Sequence, residues 1–201
     1  MVIKKKLTPK DKKKVQDDLD FLGMVINFTE ENGLRLVVSG GYGLDGVLGE
    51  ITRPHNDIDV IIHGNKSRAE YKKLLTGFIS GINKKLLLNF KNDTFYLEAD
   101  VNGDGLGVNI YYVQTGKDPF VSINEVIKSD GQIIVNSEKR FPPPVKANIE
   151  EIAFEAQNQN LHLADILFKR RGVELDKHEQ DIENLKQITN PKIVESILSQ
   201  Y

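Results

Sequence analysis

Between positions 34 and 62 the chain reads LRLVVSGGYGLDGVLGEITRPHNDIDVII. A short β-rich run over 34–38 leads straight into Ser39-Gly40-Gly41, and a second apolar run over 57–62 carries two aspartates, Asp57 and Asp59. This pair of features restricts the possible folds more than any other. Side chains alternate across a strand, so Asp57 and Asp59 share one face while Ile58, Val60 and Ile62 share the other. The apolar face has to be covered by other elements. The two carboxylates repel each other, and burying them without a counter-charge is unfavourable by several kcal/mol. A divalent cation relieves this most directly, and hard oxygen ligands favour magnesium, which takes one or two carboxylates together with substrate phosphates.

The glycines supply the complementary half. Ser39-Gly40-Gly41 opens a turn at the end of a strand, where glycine allows positive φ and close backbone approach, so that N–H groups converge on an anion. A helix starting there adds the partial positive charge that suits phosphate. Arg53 and His55 lie between the two features in the sequence and are candidate anion contacts. Gly-Gly after a strand is by itself an ordinary turn, and Asp-x-Asp by itself an ordinary solvated edge. Together, Ser39, Gly40, Gly41, Arg53 and His55 as a phosphate cradle beside Asp57 and Asp59 describe a nucleoside triphosphate site.

Elsewhere the pattern alternates between helix and strand. Thr8-Pro9 is a helix start, a capping hydroxyl followed by proline at the first helical position. Val15, Leu19, Leu22, Val25 and Ile26 recur at helical spacing, which predicts an amphipathic helix over 9–31 ended by Asn32-Gly33. A helical turn is expected over 44–48 and a helix over 66–82. Strands are expected over 85–90, 94–100 and 107–113, with Asn102-Gly103-Asp104-Gly105 as a hairpin turn, and a looser strip follows over 120–127 and 132–135. Pro142-Pro143-Pro144 marks a boundary. Beyond it helices are expected over 149–157, 161–171 and 176–188, and a last one is opened by Asn190-Pro191. The expected fold class is α/β (α+β): a mixed twisted sheet flanked by helices over 1–141, with a helical C-terminal segment over 142–201 packed on it.

A chain of 201 residues has room for one domain with such an appendage, and 39 % hydrophobic with 28 % charged residues is ordinary for a globular protein. The absence of cysteine excludes disulfides and thiolate metal sites. No apolar run approaches the ~20 residues of a membrane span, and the basic start MVIKKKLTPKDKKK is not followed by the apolar stretch of a signal peptide. The expected address is therefore cytoplasmic. A net charge of −2 gives no global case for nucleic acid. The N-terminal lysines, followed by the acidic QDDLD, read as a solvated helix start, with attraction of a polyanion such as RNA as the alternative.

The run Gly40-Gly41-Tyr42-Gly43-Leu44-Asp45, Gly49, Thr52-Arg53, His55, Asn56-Asp57-Ile58-Asp59 resembles the antibiotic nucleotidyltransferases of the DNA polymerase beta superfamily, in particular the lincosamide and aminoglycoside 2″-type adenylyltransferases. Tyr42 stands where tryptophan is usual and Pro54 where a polar residue is common. The later KHEQDIENL, with His178 and Asp181, looks like the family's basic, Asp-containing helix. The resemblance implies a nucleotidyltransferase fold and two magnesium ions. It also implies transfer of a nucleoside monophosphate from an NTP, ATP by the precedent of the adenylyltransferases, to a hydroxyl of a small acceptor such as an aminoglycoside or lincosamide. A homodimer is compatible with it.

The family pattern requires a third carboxylate on the strand after the hairpin, and Asn109 stands at that position. Its amide oxygen can ligate a cation but adds no charge and cannot act as a base. Asp57, Asp59 and Asn109 are thus the expected metal ligands, with Asp57 and Asp59 as the catalytic pair. Glu98, Asp100 and Asp104 are candidates for a compensating carboxylate, Glu98 also for a general base. Lys169, with Arg170 and Arg171, could reach a triphosphate from the helical tail, and equally could offset the negative end of its helix. His162 reads as a core-edge or surface histidine. Asp100, Asn102, Asp104 and Gly105 match half of a calcium loop, but Tyr111 occupies its glutamate position and the flanks read as strands, so a plain hairpin is expected. Two other readings stay open: a toxin of the same fold acting on tRNA or protein, and a nucleotide-binding protein impaired in turnover by Asn109.

Overall fold

The computed structural model describes residues 2–82, 86–91, 94–99, 107–114, 121–127, 133–140, 142–169 and 178–200. The chain divides into two compact units, Met1–Gln114 with Pro144–Gln157, and Thr115–Pro143 with Asn158–Tyr201.

The first unit begins with helix α1 (Pro9–Glu31), where Thr8 and Asp11 form a capping box with each other's backbone. Helix α1 buries Leu19, Phe21, Leu22 and Val25 almost completely, each contributing about 1.5–3 kcal/mol. Strand β1 (Arg35–Ser39) runs into α2 (Gly40–Leu48), then β2 (Asp57–Gly64) and α3 (Arg68–Gly81) follow. Strands β3 (Leu86–Lys91), β4 (Thr94–Ala99) and β5 (Gly107–Gln114) come next, and β8 (Val145–Ile149) and β9 (Ile152–Ala156) return after the prolines. These strands form a seven-stranded sheet in the order β3-β4-β5-β2-β1-β9-β8. The sheet is mixed, as expected: β2 pairs antiparallel with β1 and parallel with β5, and β1 pairs parallel with β9.

One face of β2 and β5 is buried and largely apolar. Ile58, Val60 and Ile62 of β2 and Val108 and Ile110 of β5 are at most 1 % exposed and join Leu19, Leu22 and Val25 of α1 and Tyr71 and Leu75 of α3 in one core. Alternation then fixes Asp57, Asp59 and Asn109 on the opposite face.

The second unit holds β6 (Val121–Ile127) and β7 (Ile133–Arg140), an antiparallel pair, with α4 (Gln159–Lys169), α5 (Glu179–Ile188) and α6 (Pro191–Leu198). Asn160 of α4 accepts a 2.7 Å bond from the backbone N–H of Asn190, the N-cap of α6. Among the described residues no helix is long and apolar enough to cross a membrane.

Two sequence expectations are corrected. Helix α2 starts at Gly40 rather than Leu44. Residues 149–157 are not helical: β8 and β9 form a hairpin in the main sheet, so the helical segment expected from 142 begins only at α4. Ile149, Ile152, Ala153 and Ala156 have helix-like spacing, but Ala147, Ile149, Phe154 and Ala156 are the buried set, alternating with exposed Lys146, Asn148 and Ala153. The strand period prevails because both sides of the turn find sheet partners. Asp100, Asn102, Asp104, Gly105, Arg170 and Arg171 lie outside the described residues.

Candidate active site

The glycine turn and the two aspartates meet at one end of the sheet. Ser39, the last residue of β1, is the register partner of Asp59, and its Oγ donates to the Asp59 carbonyl at 3.4 Å. Gly40 has φ +62, and a Cβ there would lie 2.2 Å from Asp59 Oδ2. Only glycine satisfies both conditions. At Gly41 a Cβ would lie 1.9 Å from His55 Nδ1. The side chain of Ser39, the N-cap of α2, makes no capping bond, which leaves the backbone N–H groups of the first turn without a side-chain cap beside Asp59.

A buried polar group shapes this turn from behind. His55, 2 % exposed, places Nε2 2.7 Å from Oδ2 of the fully buried Asp45. The other oxygen of Asp45 accepts from the N–H and hydroxyl of Thr52, at 3.2 and 2.7 Å. Tyr42 meets the His55 ring edge-on, with centroids 4.6 Å apart, and its hydroxyl donates to Asp18 of α1. Burial, reinforced by Asp18, pushes the Tyr42 hydroxyl far above its usual range, so it stays a donor. Burial likewise raises Asp18, against the opposing pull of Lys14 and Tyr42. His55 Nδ1 is buried without a hydrogen-bond partner, next to Gly41.

Asp57 and Asp59 are partly exposed on the face away from the core. Asn109 of β5 is the register partner of Asp59, which puts it where the third carboxylate was expected. Its Nδ2 donates to Asp57 Oδ2 at 3.0 Å and to Asp59 Oδ1 at 2.7 Å. Its Oδ1 is buried without a partner. The two carboxylates are hard oxygen ligands that suit a divalent cation, which the amide oxygen of Asn109 would join with the amide turned over.

Ser39, Gly40, Gly41, His55, Asp57, Asp59 and Asn109 therefore form one constellation. Arg53, partly buried, donates to the Pro54 carbonyl at 3.2 Å. Lys169 closes α4 in the second unit, and its side chain lies outside the described atoms. Glu98 shares a register row with Gly107, the partner of Asp57, and its side chain is likewise undescribed. His162 is buried on α4, and His178 Nδ1 lies 4.0 Å from Asp181. Sequence reasoning missed the roles of Asp45 and Thr52, which were part of the recognised run but had none assigned. An aspartate in a mostly apolar segment, seven residues before a threonine, was the available signal.

A family model of aminoglycoside-2″-adenylyltransferase matches residues 22–95, which include the turn and both aspartates. Among solved structures, the chain is similar to ANT(2″)-Ia in complex with adenylyl-2″-tobramycin, with a TM-score of 0.60 and 15 % identity over 90 % of this chain and 94 % of that one. It is also similar to the lincomycin-bound lincosamide antibiotic adenylyltransferase LnuA, with a TM-score of 0.55 and 17 % identity over 92 % and 100 %. An antigenic nucleotidyltransferase-like protein from Paracoccidioides brasiliensis gives a TM-score of 0.50 and 12 % identity over 92 % and 87 %. None of the curated proteins matches the chain by sequence. The fold is the nucleotidyltransferase fold, and the aminoglycoside-2″-adenylyltransferase family model spans residues 40–59, which carry the resemblance to antibiotic nucleotidyltransferases.

Proposed function

We propose that the protein transfers a nucleoside monophosphate, AMP from ATP, to a hydroxyl of a small acceptor such as an aminoglycoside or lincosamide antibiotic. The observation that carries this reading is the contact between Gly40 and Asp59: the turn that offers backbone N–H groups lies within a Cβ's reach of a carboxylate. Phosphate and cation would therefore be held side by side. In the reaction the acceptor oxygen forms a bond to the α-phosphorus, and the bond to the bridging oxygen breaks. Pyrophosphate leaves with that electron pair, and the hydroxyl proton passes to solvent.

The protein's part is positioning and neutralisation of charge. The Ser39–Gly41 turn binds the phosphates, with Arg53 as a further anion contact; His55, expected as another, is buried against Asp45 and Gly41 and supports the turn from behind instead. Asp57, Asp59 and the amide of Asn109 would hold magnesium, which when bound supplies charge stabilisation at the phosphates. The two-ion arrangement implied by the family pattern needs a third carboxylate, where this chain has Asn109. That one difference also favours a second reading, nucleotide binding without turnover. A cytoplasmic location goes with the use of ATP; a homodimer goes with the family resemblance alone.

Pyrophosphate release from each of the four NTPs with magnesium, across a panel of hydroxylated antibiotics, tests the proposal. Acceptor-dependent release that disappears in Asp59→Ala is the expected result. Nucleotide binding without release under any acceptor selects the second reading, and binding unaffected by Asp59→Ala rejects both.

A further inference from the structure

The amide of Asn109 stands where a cation would otherwise be required. Asp57 and Asp59 are side by side on one strand, and an amide nitrogen carries two hydrogens, one for each carboxylate. Its two bonds, 3.0 Å to Asp57 Oδ2 and 2.7 Å to Asp59 Oδ1, use both. The repulsion that a third carboxylate would aggravate is here offset by a neutral donor. The far end of the amide, Oδ1, is buried without a partner, in a residue only 8 % exposed. Turning the amide over would point that oxygen at two carboxylates, which is repulsive unless a cation lies between them. The same side chain thus suits the metal-free site through Nδ2 and one bound cation through Oδ1.

Charge sets the count. A pair of ions sharing Asp57 and Asp59 would carry four positive charges against the two carboxylates among the described residues of the site. The triphosphate compensates the ion it coordinates, but the protein has nothing at position 109 to compensate another. Among the described residues, no group of three or more acidic, histidine or cysteine side chains could hold a metal.

We infer that this site takes a single divalent cation, the one that arrives with the nucleotide, because Asn109, a neutral clamp on Asp57 and Asp59 in the metal-free site, adds no charge that would hold a second. The inference rests on the nucleotidyl-transfer reading above and adds to it the number of ions and the residue that sets it. Asn109 is a positioning residue in this arrangement. Without nucleotide, the clamp leaves little demand for metal.

Electron paramagnetic resonance with Mn²⁺ as the probe counts the ions directly, on the full chain with a non-hydrolysable ATP analogue. The wild type is expected to bind one Mn²⁺ per chain, with the spectrum of an isolated ion. Asn109→Asp is expected to bind two, with the broadening of a spin-coupled pair, and to bind Mn²⁺ at least tenfold more tightly than the wild type without nucleotide. Two coupled ions in the wild type overturn the inference and leave the nucleotidyl-transfer reading standing. One ion in both proteins overturns the role given to Asn109. No Mn²⁺ retained by either, with analogue present, overturns the inference and the reading together. The wild-type count decides the number of ions even if Asn109→Asp does not fold.

Discussion

The imidazole of His55 and the carboxylate of Asp45 meet at 2.7 Å with neither side chain reaching solvent, and the second oxygen of Asp45 holds Thr52 at its N–H and its hydroxyl. One buried carboxylate therefore ties α2 to the segment that delivers Asp57. It also fixes the ring whose Nδ1 faces Gly41.

Removing that carboxylate takes a shared partner from the Thr52 N–H, the Thr52 hydroxyl and His55 Nε2. Asp45→Ala is expected to destabilise the fold by about 3–5 kcal/mol, the usual loss when a buried polar pair is broken from one side. Urea denaturation measures this. A loss within the ~0–1 kcal/mol of surface pairs would show that the Asp45 network has no structural role.

Gly40→Ala tests the close approach at the turn. The new methyl would meet Asp59 Oδ2 in a backbone conformation, φ +62, that disfavours any side chain. Nucleotide affinity should fall at least ~10-fold, equivalent to about 1.4 kcal/mol. Gly77→Ala is the internal control: it lies on α3 with open space around it, and should raise stability by roughly 0.5–1 kcal/mol. Nucleotide affinity unchanged in Gly40→Ala would remove the turn from the binding site.

Tyr42→Phe withdraws one donor from Asp18, which is 1 % exposed and keeps Lys14 at 2.7 Å. A loss of about 1–3 kcal/mol is expected. Its pH dependence has a definite sign. Burial raises Asp18 above 3.8 in the folded state, so the folded chain binds the extra proton, and the contribution of this group falls as pH rises from 3.8 through the raised value. Without the Tyr42 hydroxyl the carboxyl rises further. The loss of stability in Tyr42→Phe should therefore be larger at neutral than at acidic pH. Equal losses at both would mean that Asp18 does not feel this bond.

His63 behaves in the opposite sense. Burial, and then Arg35, hold its pKa below 6.5, while Glu155 opposes them weakly. Between the depressed value and 6.5 the unfolded chain binds more protons, so stability from this group is complete above 6.5 and is lost as pH falls through that window. Thermal melts of wild type and His63→Gln should diverge on acidification below 6.5, the variant giving the flatter profile. Parallel profiles would count against the half-buried, neutral state of His63.

The sequence by itself determined the local structure and the chemistry on offer. Thr8-Pro9 and Asn32-Gly33 delimit α1 because capping and left-handed glycine act within a few residues. Strand alternation put Asp57 and Asp59 on one face and Ile58, Val60 and Ile62 on the other before any partner strand was known. Tertiary structure decided what depends on partners distant in the chain. No local pattern fixes that β5 lies parallel to β2 with Asn109 beside Asp59, since register comes from the packing of both strands on a shared core. The need for glycine at Gly40 is likewise visible only once Asp59 lies against it. At residues 145–156 helix-like and strand-like spacing coexisted, and the open edge of β1 selected the strand, because a parallel partner satisfied its backbone hydrogen bonds.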